Sequence, residues 1–208
     1  MQFKVCGITS VDQANLLDVM KVHYVGFIFY PSSKRYVLDK LTLNDLAIFR
    51  PTHAKKVGVF VNEPLDKLLV IVKEAGLDMV QLHGDEDVSY CAAVEKTIPV
   101  IKVFRVGGVL PDFMPFEQVV SYFLFDTDSK MYGGTGQHFN WELLKNNPIP
   151  KPYFLSGGIG PNDEQGIKVL KNTTAGKTLA VLDLNSQFEN VPGKKNLEKI
   201  KTFIDVCI

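Results

Sequence analysis

Six side chains able to do acid–base or anion-binding chemistry stand at or just beyond short apolar runs. They are Cys6, Arg35, His83, Arg105, Asp126 and Asp183. A thiol and a carboxyl are a base and an acid in waiting, and a guanidinium matches a carboxylate or phosphate. Read singly, most have plainer roles. Cys6 packs as a small hydrophobe, His83 is a satisfied structural histidine, and Arg35 and Arg105 are solvated. Asp126 resists that treatment, because a buried carboxylate is costly unless paired or used for its shifted pKa. Asp128, two residues on, is assigned to the loop.

Glycine-rich stretches accompany these groups. Gly157-Gly158-Ile159-Gly160-Pro161 follows an apolar run and precedes a helical pattern, so its bare amides suit a phosphate. It is not a dinucleotide fingerprint, since the third glycine would fall at Asp163. Gly176-Lys177-Thr178 fails as a phosphate loop, because residue 171 is Lys171 and the segment precedes a strand. Gly133-Gly134-Thr135-Gly136 lies in the loop after Asp126. Asp85-Glu86-Asp87 is read as favouring a helix N-terminus, and Cys91 as the buried side of that helix.

The elements that must position these residues alternate along the chain. Apolar runs predict strands over Phe3–Cys6, Tyr24–Phe29, Lys56–Val61, Asp78–Leu82, Val100–Phe104, Tyr122–Asp126, Tyr153–Ser156 and Leu179–Asp183. Helical patterns fit between most of them. Ser10 with Gln13 reads as a capping box, Pro64 as a helix start, Gly76 as a helix end, and Pro161 as the opening of a helix to about Lys171. The 208 residues divide into eight strand–helix units of about 26 each, which predicts a single-domain (β/α)8 TIM barrel over 1–208. Gly107, Gly108, Pro111 and Pro115 predict a short or irregular fifth helix. An open doubly wound sheet is the rival arrangement. In a barrel, chemistry sits where strands end and βα-loops begin, which is where the six side chains fall.

Composition narrows the partners. Hydrophobic residues make up 46% and charged residues 22%, with 23 basic against 23 acidic side chains, the balance of a globular protein without a nucleic-acid surface. The N-terminus lacks a signal-peptide pattern and the apolar runs are too short to span a bilayer. Cys6, Cys91 and Cys207 form neither a disulfide framework nor a metal cluster, so a reducing cytoplasm is expected.

The motifs together resemble one family. Lys4-Val5-Cys6-Gly7-Ile8-Thr9, Gly26-Phe27-Ile28-Phe29 leading to Ser33-Lys34-Arg35, Val57–Phe60, Val80-Gln81-Leu82-His83-Gly84-Asp85-Glu86, Asp126 with Gly133–Gly136 and Phe139-Asn140-Trp141, Ser156–Ile159, and Asp183–Ser186 with Glu189, Pro192-Gly193 and Lys194 are similar to phosphoribosylanthranilate isomerases of tryptophan biosynthesis, over essentially the whole chain. The resemblance implies a barrel enzyme without cofactor or metal, a monomer or homodimer, acting on a small phosphorylated substrate. It implies an Amadori rearrangement of N-(5'-phosphoribosyl)anthranilate to 1-(2-carboxyphenylamino)-1-deoxyribulose 5-phosphate. Cys6 would be the general base and Asp126 the general acid. Arg35 would take the anthranilate carboxylate and supply positive charge to Cys6. His83 and Arg105 would line the same end, Asp183 would orient a ribose hydroxyl, and Gly157, Gly158, Asn185 and Ser186 would hold the phosphate. Gly134, Thr135 and Gly136 would close over the substrate. One departure stands out: Asn185-Ser186-Gln187-Phe188-Glu189 replaces the family's Ser-Ser-Gly-Val-Glu, which bears on the phosphate contact.

Overall fold

A computed structural model describes residues 1–128 and 139–207. Eight parallel strands close into a barrel in sequence order. They are β1 (Gln2–Cys6), β2 (Tyr24–Ile28), β3 (Lys55–Phe60), β4 (Met79–Leu82), β5 (Val100–Val106), β6 (Tyr122–Thr127), β7 (Tyr153–Leu155) and β8 (Leu179–Leu184). Each falls within two residues of its expected limits, because Val, Ile, Leu, Phe and Tyr dominate segments buried on both faces. The closed β1–β8 pairing excludes the open sheet.

Helices α1 (Val11–Val19), α2 (Leu43–Ile48), α3 (Leu65–Ala75), α4 (Val88–Glu95), α5 (Glu142–Lys145), α6 (Glu164–Lys171) and α7 (Leu197–Cys207) flank the barrel. Between β5 and β6 the described helix is one 3-10 turn, Met114–Phe116, so the irregular fifth unit is present. Gly76 ends α3 in the left-handed region at φ 61°, as a C-cap requires. Cys91 is fully buried on α4.

Three local readings change. Ser10 caps α1 by accepting from Gln13 N, but Gln13 turns its amide to Lys195, so the return half of the capping box is replaced by a tertiary contact. Of the acidic triplet only Asp87 caps α4; Glu86 is buried against Lys102 and Asp85 pairs with Arg105. Helix α6 starts at Glu164, and Asp163 Oδ2 accepts from Gly160 N at 2.6 Å, so the Gly157–Gly160 turn is held as a loop of its own.

Strand periodicity divides the core. Phe3, Val5, Val80, Leu82, Phe123, Phe125, Leu182 and Leu184 face outward to the helices. Tyr24, Val57, Met79, Ile101, Val103, Leu124, Phe154 and Val181 fill the barrel interior. Side chains alternate with period two, so Lys4, Cys6, Gly26, Gln81, Asp126 and Asp183 share the interior face.

At the opposite end, the Asp18 carboxylate accepts from Thr52 N (2.8 Å), Thr52 Oγ1 (2.9 Å), His53 N (2.8 Å) and Ala54 N (2.7 Å), tying α1 to the chain entering β3. Burial alone would raise its pKa, but these donors hold it down at about 2. The depressed value stabilises the fold above the unfolded carboxyl's pKa near 4, and that contribution is lost as pH falls towards 2. Asp18→Asn is expected to cost about 1–3 kcal/mol at neutral pH, because backbone donors lose their acceptor. It also flattens stability between pH 4 and 2; urea melts across that range check both.

Candidate active site

The interior parity leads straight to a cavity at the C-terminal ends of the strands. Its volume is about 460 Å³, and Cys6, Gln81, His83, Asp126, Ser156 and Asp183 line it. The β2 loop adds Ser33, Lys34 and Arg35; the β7 and β8 loops add Gly157, Gly158, Asn185 and Ser186.

Cys6 is the last residue of β1 and is 4% exposed. Gly26 pairs with it in register. A Cβ at Gly26 would sit 2.9 Å from Cys6 Sγ and 3.1 Å from its Cα, so only glycine leaves the thiol its place. Gly26→Ala is expected to cost about 1–3 kcal/mol through overpacking. Denaturant melting reads that loss, and a changed rate of Cys6 alkylation would report the displaced sulfur.

Lys4, two residues before Cys6, is fully buried, and its Nζ lies 2.9 Å from Asp183 Oδ1. Asp183 Oδ2 accepts from Ser156 Oγ at 3.4 Å. Burial pushes the Cys6 thiol up, while the Lys4 and Lys195 ammonium groups pull it down. Attraction from Asp183 and Cys6 outweighs burial at Lys4 and holds its ammonium protonated. Burial pushes the Asp183 carboxyl up against the pull of Lys4.

Asp126 ends the interior face of β6 and is 7% exposed. Its Oδ1 accepts from Thr127 N at 2.8 Å, and its Oδ2 lies 3.3 Å from His83 Nε2 without the angle of a hydrogen bond. Gln81 Nε2 lies 3.2 Å from His83 Nδ1, and Gln81 Oε1 is a buried acceptor without a partner in the described structure. Gly157, at φ 86°, passes so close that a Cβ there would lie 3.1 Å from Asp126 Oδ1 and 2.4 Å from Thr127 Oγ1.

Arg35 lines the cavity but is already engaged. Its Nε donates to Glu189 Oε1 and Oε2 at 2.9 and 3.0 Å, and its Nη2 to Oε2 at 2.6 Å. The expected positive charge on Cys6 is therefore supplied by Lys4 and Lys195 rather than by Arg35, whose charge Glu189 balances. Arg105 shares the interior parity of β5, yet its guanidinium pairs with Asp85, and it does not line the cavity. Gly134, Thr135 and Gly136 lie outside the described residues.

Glu189 and Lys195 belong to a feature missing from the strand expectations, a hairpin of β9 (Glu189–Val191) and β10 (Lys194–Lys195). Pro192-Gly193, with Gly193 at φ 82°, was its sequence signal: proline then glycine is the type II turn pair. Among the described residues no cluster of three or more His, Cys, Asp or Glu could hold a metal, and no helix is long and apolar enough to cross a membrane.

Fold and cavity thus define a (β/α)8 barrel whose buried cavity is lined by a thiol, carboxyls, an imidazole, a guanidinium and a glycine-rich turn. A family model described as N-(5'phosphoribosyl)anthranilate (PRA) isomerase matches residues 3–206. The chain is 36% identical over 208 residues to the N-(5'-phosphoribosyl)anthranilate isomerase of Parabacteroides distasonis, covering 98% of this chain and 92% of that one. The crystal structure of phosphoribosyl anthranilate isomerase from Thermotoga maritima is 33% identical, with a TM-score of 0.80 over 100% of this chain and 98% of that one. A phosphoribosyl anthranilate isomerase in complex with reduced 1-(o-carboxyphenylamino)-1-deoxyribulose 5-phosphate is 31% identical, with a TM-score of 0.74 and the same coverage. The chain belongs to the N-(5'-phosphoribosyl)anthranilate isomerase family.

Proposed function

We propose that this protein catalyses the Amadori rearrangement of N-(5'-phosphoribosyl)anthranilate to 1-(2-carboxyphenylamino)-1-deoxyribulose 5-phosphate, in tryptophan biosynthesis. It acts as a cytoplasmic single-domain enzyme, monomer or homodimer, with Cys6 as base and Asp126 as acid. The observation that carries the reading is the convergence of a thiol and a carboxyl, from β1 and β6, on one cavity beside an arginine and a glycine-rich turn.

The protonated Asp126 carboxyl delivers its proton to the furanose ring oxygen as the C1–O bond breaks, with that bond's electrons going to oxygen. The nitrogen lone pair closes the C=N bond, giving an iminium cation and leaving an Asp126 carboxylate. Thr127 N–H donates to Oδ1 of that carboxylate, and His83 Nε2 stands beside Oδ2. The Cys6 thiolate removes the C2 proton; the C–H electrons form C1=C2 and the iminium electrons return to nitrogen. The enolamine then loses its hydroxyl proton and gains one at C1, yielding the ketone. The iminium charge lies next to Cys6 in this sequence, so it adds to Lys4 and Lys195 in favouring thiolate.

Arg35 holds the anthranilate carboxylate, sharing its fork with Glu189. Gly157, Gly158, Asn185 and Ser186 hold the phosphate, and Asp183 faces a ribose hydroxyl. Arg105 stands at the rim of the site in its ion pair with Asp85, and Gly134, Thr135 and Gly136 close the site. The test is turnover: substrate generated in situ from anthranilate and phosphoribosyl pyrophosphate loses its fluorescence when the protein is added. Absence of decay with folded protein refutes the activity.

A further inference from the structure

The β9–β10 hairpin brings a lysine to the back of the site that the proposed mechanism leaves without a contact to substrate. The Lys195 side chain is 0% exposed, donating to Glu189 Oε1 at 2.7 Å and to Asn185 Oδ1 at 2.8 Å. Glu189 Oε1 also accepts from Gly193 N at 3.0 Å, and the same carboxylate takes the Arg35 fork. The Lys195 backbone is clamped to α1: its N–H donates to Gln13 Oε1 at 3.2 Å, and its carbonyl accepts from Gln13 Nε2 at 3.3 Å. One buried ammonium thus joins Arg35, through Glu189, to Asn185, and both of those line the cavity.

A buried ion pair is a weak source of stability, since an apolar pair of similar volume does as well. Its geometry has a sharper consequence. An ammonium is donor only, so the end of the Asn185 amide facing it is the oxygen. That settles the amide's orientation and leaves its two N–H donors as the end available to a ligand. Asn185 stands next to Ser186 and across the β7–β8 rim from Gly157-Gly158, so those donors join a set suited to an anion.

We infer that Lys195 is a positioning residue. It holds the Asn185 oxygen so that the amide N–H groups face the substrate phosphate, while through Glu189 it sets the Arg35 guanidinium towards the substrate carboxylate. This rests on the proposed reading of a substrate with an anion at each end. Lys195 touches neither anion; it acts through Asn185 and Glu189.

Calorimetric titration of the full chain with reduced 1-(o-carboxyphenylamino)-1-deoxyribulose 5-phosphate, and separately with inorganic phosphate, tests the inference without depending on turnover. Asn185→Ala is expected to weaken binding of both probes about tenfold, the loss of one hydrogen bond to a charged group. Lys195→Met is expected to weaken inorganic phosphate by the same factor and the analogue by more, because the Arg35 end is disturbed as well. The double variant is expected to bind inorganic phosphate within twofold of the weaker single variant, because both changes remove the same contact. Lys195→Arg, which keeps a donor, recovers part of the loss. Additive losses, or phosphate affinity in Lys195→Met within twofold of the unaltered protein, would overturn the role. If Lys195→Met does not fold, the cycle is run on Lys195→Met/Glu189→Gln, which strands no buried carboxylate, with the same criterion. Failure of the unaltered protein to bind either probe would sink the functional reading as well, whereas binding with additive variants sinks only the role of Lys195.

Discussion

Cys6→Ala is expected to lower kcat by about 10²–10⁴-fold, the usual worth of a positioned general base, while the barrel still folds. Alanine removes one buried sulfur next to Gly26 and leaves the Lys4–Asp183 pair intact, so the structural loss is small beside the chemical one. The residual pH dependence separates base from packing. Burial raises the thiol, with Lys4 and Lys195 opposing, so the thiolate fraction of the free enzyme grows as pH rises. A profile of kcat/KM whose alkaline-rising limb disappears in Cys6→Ala identifies the thiolate as the base. Lys4→Met is expected to move that limb to higher pH, because the nearest cation is lost. The sign for stability is separate: a thiol raised in the fold contributes stability below its unfolded value, near 8.5–9, and loses it as pH rises through the folded one. Near-normal turnover by Cys6→Ala would return the thiol to a packing role.

Asp126→Asn is expected to cost a similar factor by a different route. The amide keeps the volume, and its oxygen can still accept from Thr127 N–H, but it has no proton acid enough for the ring oxygen. Ring opening then becomes rate-limiting. Binding of the reduced product analogue should change little, since the variant removes an interaction made in the transition state. A fall in kcat with analogue affinity within a few-fold supports the acid role. Equal losses in affinity and kcat would instead make Asp126 a substrate-holding group. A small loss in both would remove it from the mechanism.

The strand pattern was legible because parallel barrel strands are buried on both faces and read as dense apolar runs. The same pattern leads to the cavity. Continuing the interior parity of each strand lands on Cys6, His83, Asp126, Ser156 and Asp183, all of which line the cavity. Lys4 was equally exposed to that logic: a lysine inside an apolar strand, in phase with Cys6, is a buried charge that demands a partner. The sequence also carried the Pro192-Gly193 turn signal, although the hairpin it makes was not expected.

Which charges meet was decided only by closure of the barrel. Asp183 reaches Lys4 across 179 residues because β8 pairs with β1 in a register that sets the two opposite each other. Gln13 leaves its local capping box for Lys195, 182 positions away, where the backbone of β10 offers a donor and an acceptor together. Arg35 and Arg105 look alike in sequence, yet one meets Glu189 on the cavity wall and the other meets Asp85 at the rim. Local physics thus determined the strands, the turns and which side chains face inward, because period and propensity act over a few residues. The pairing of buried charges followed from register and strand order, which bring together residues that no local pattern relates.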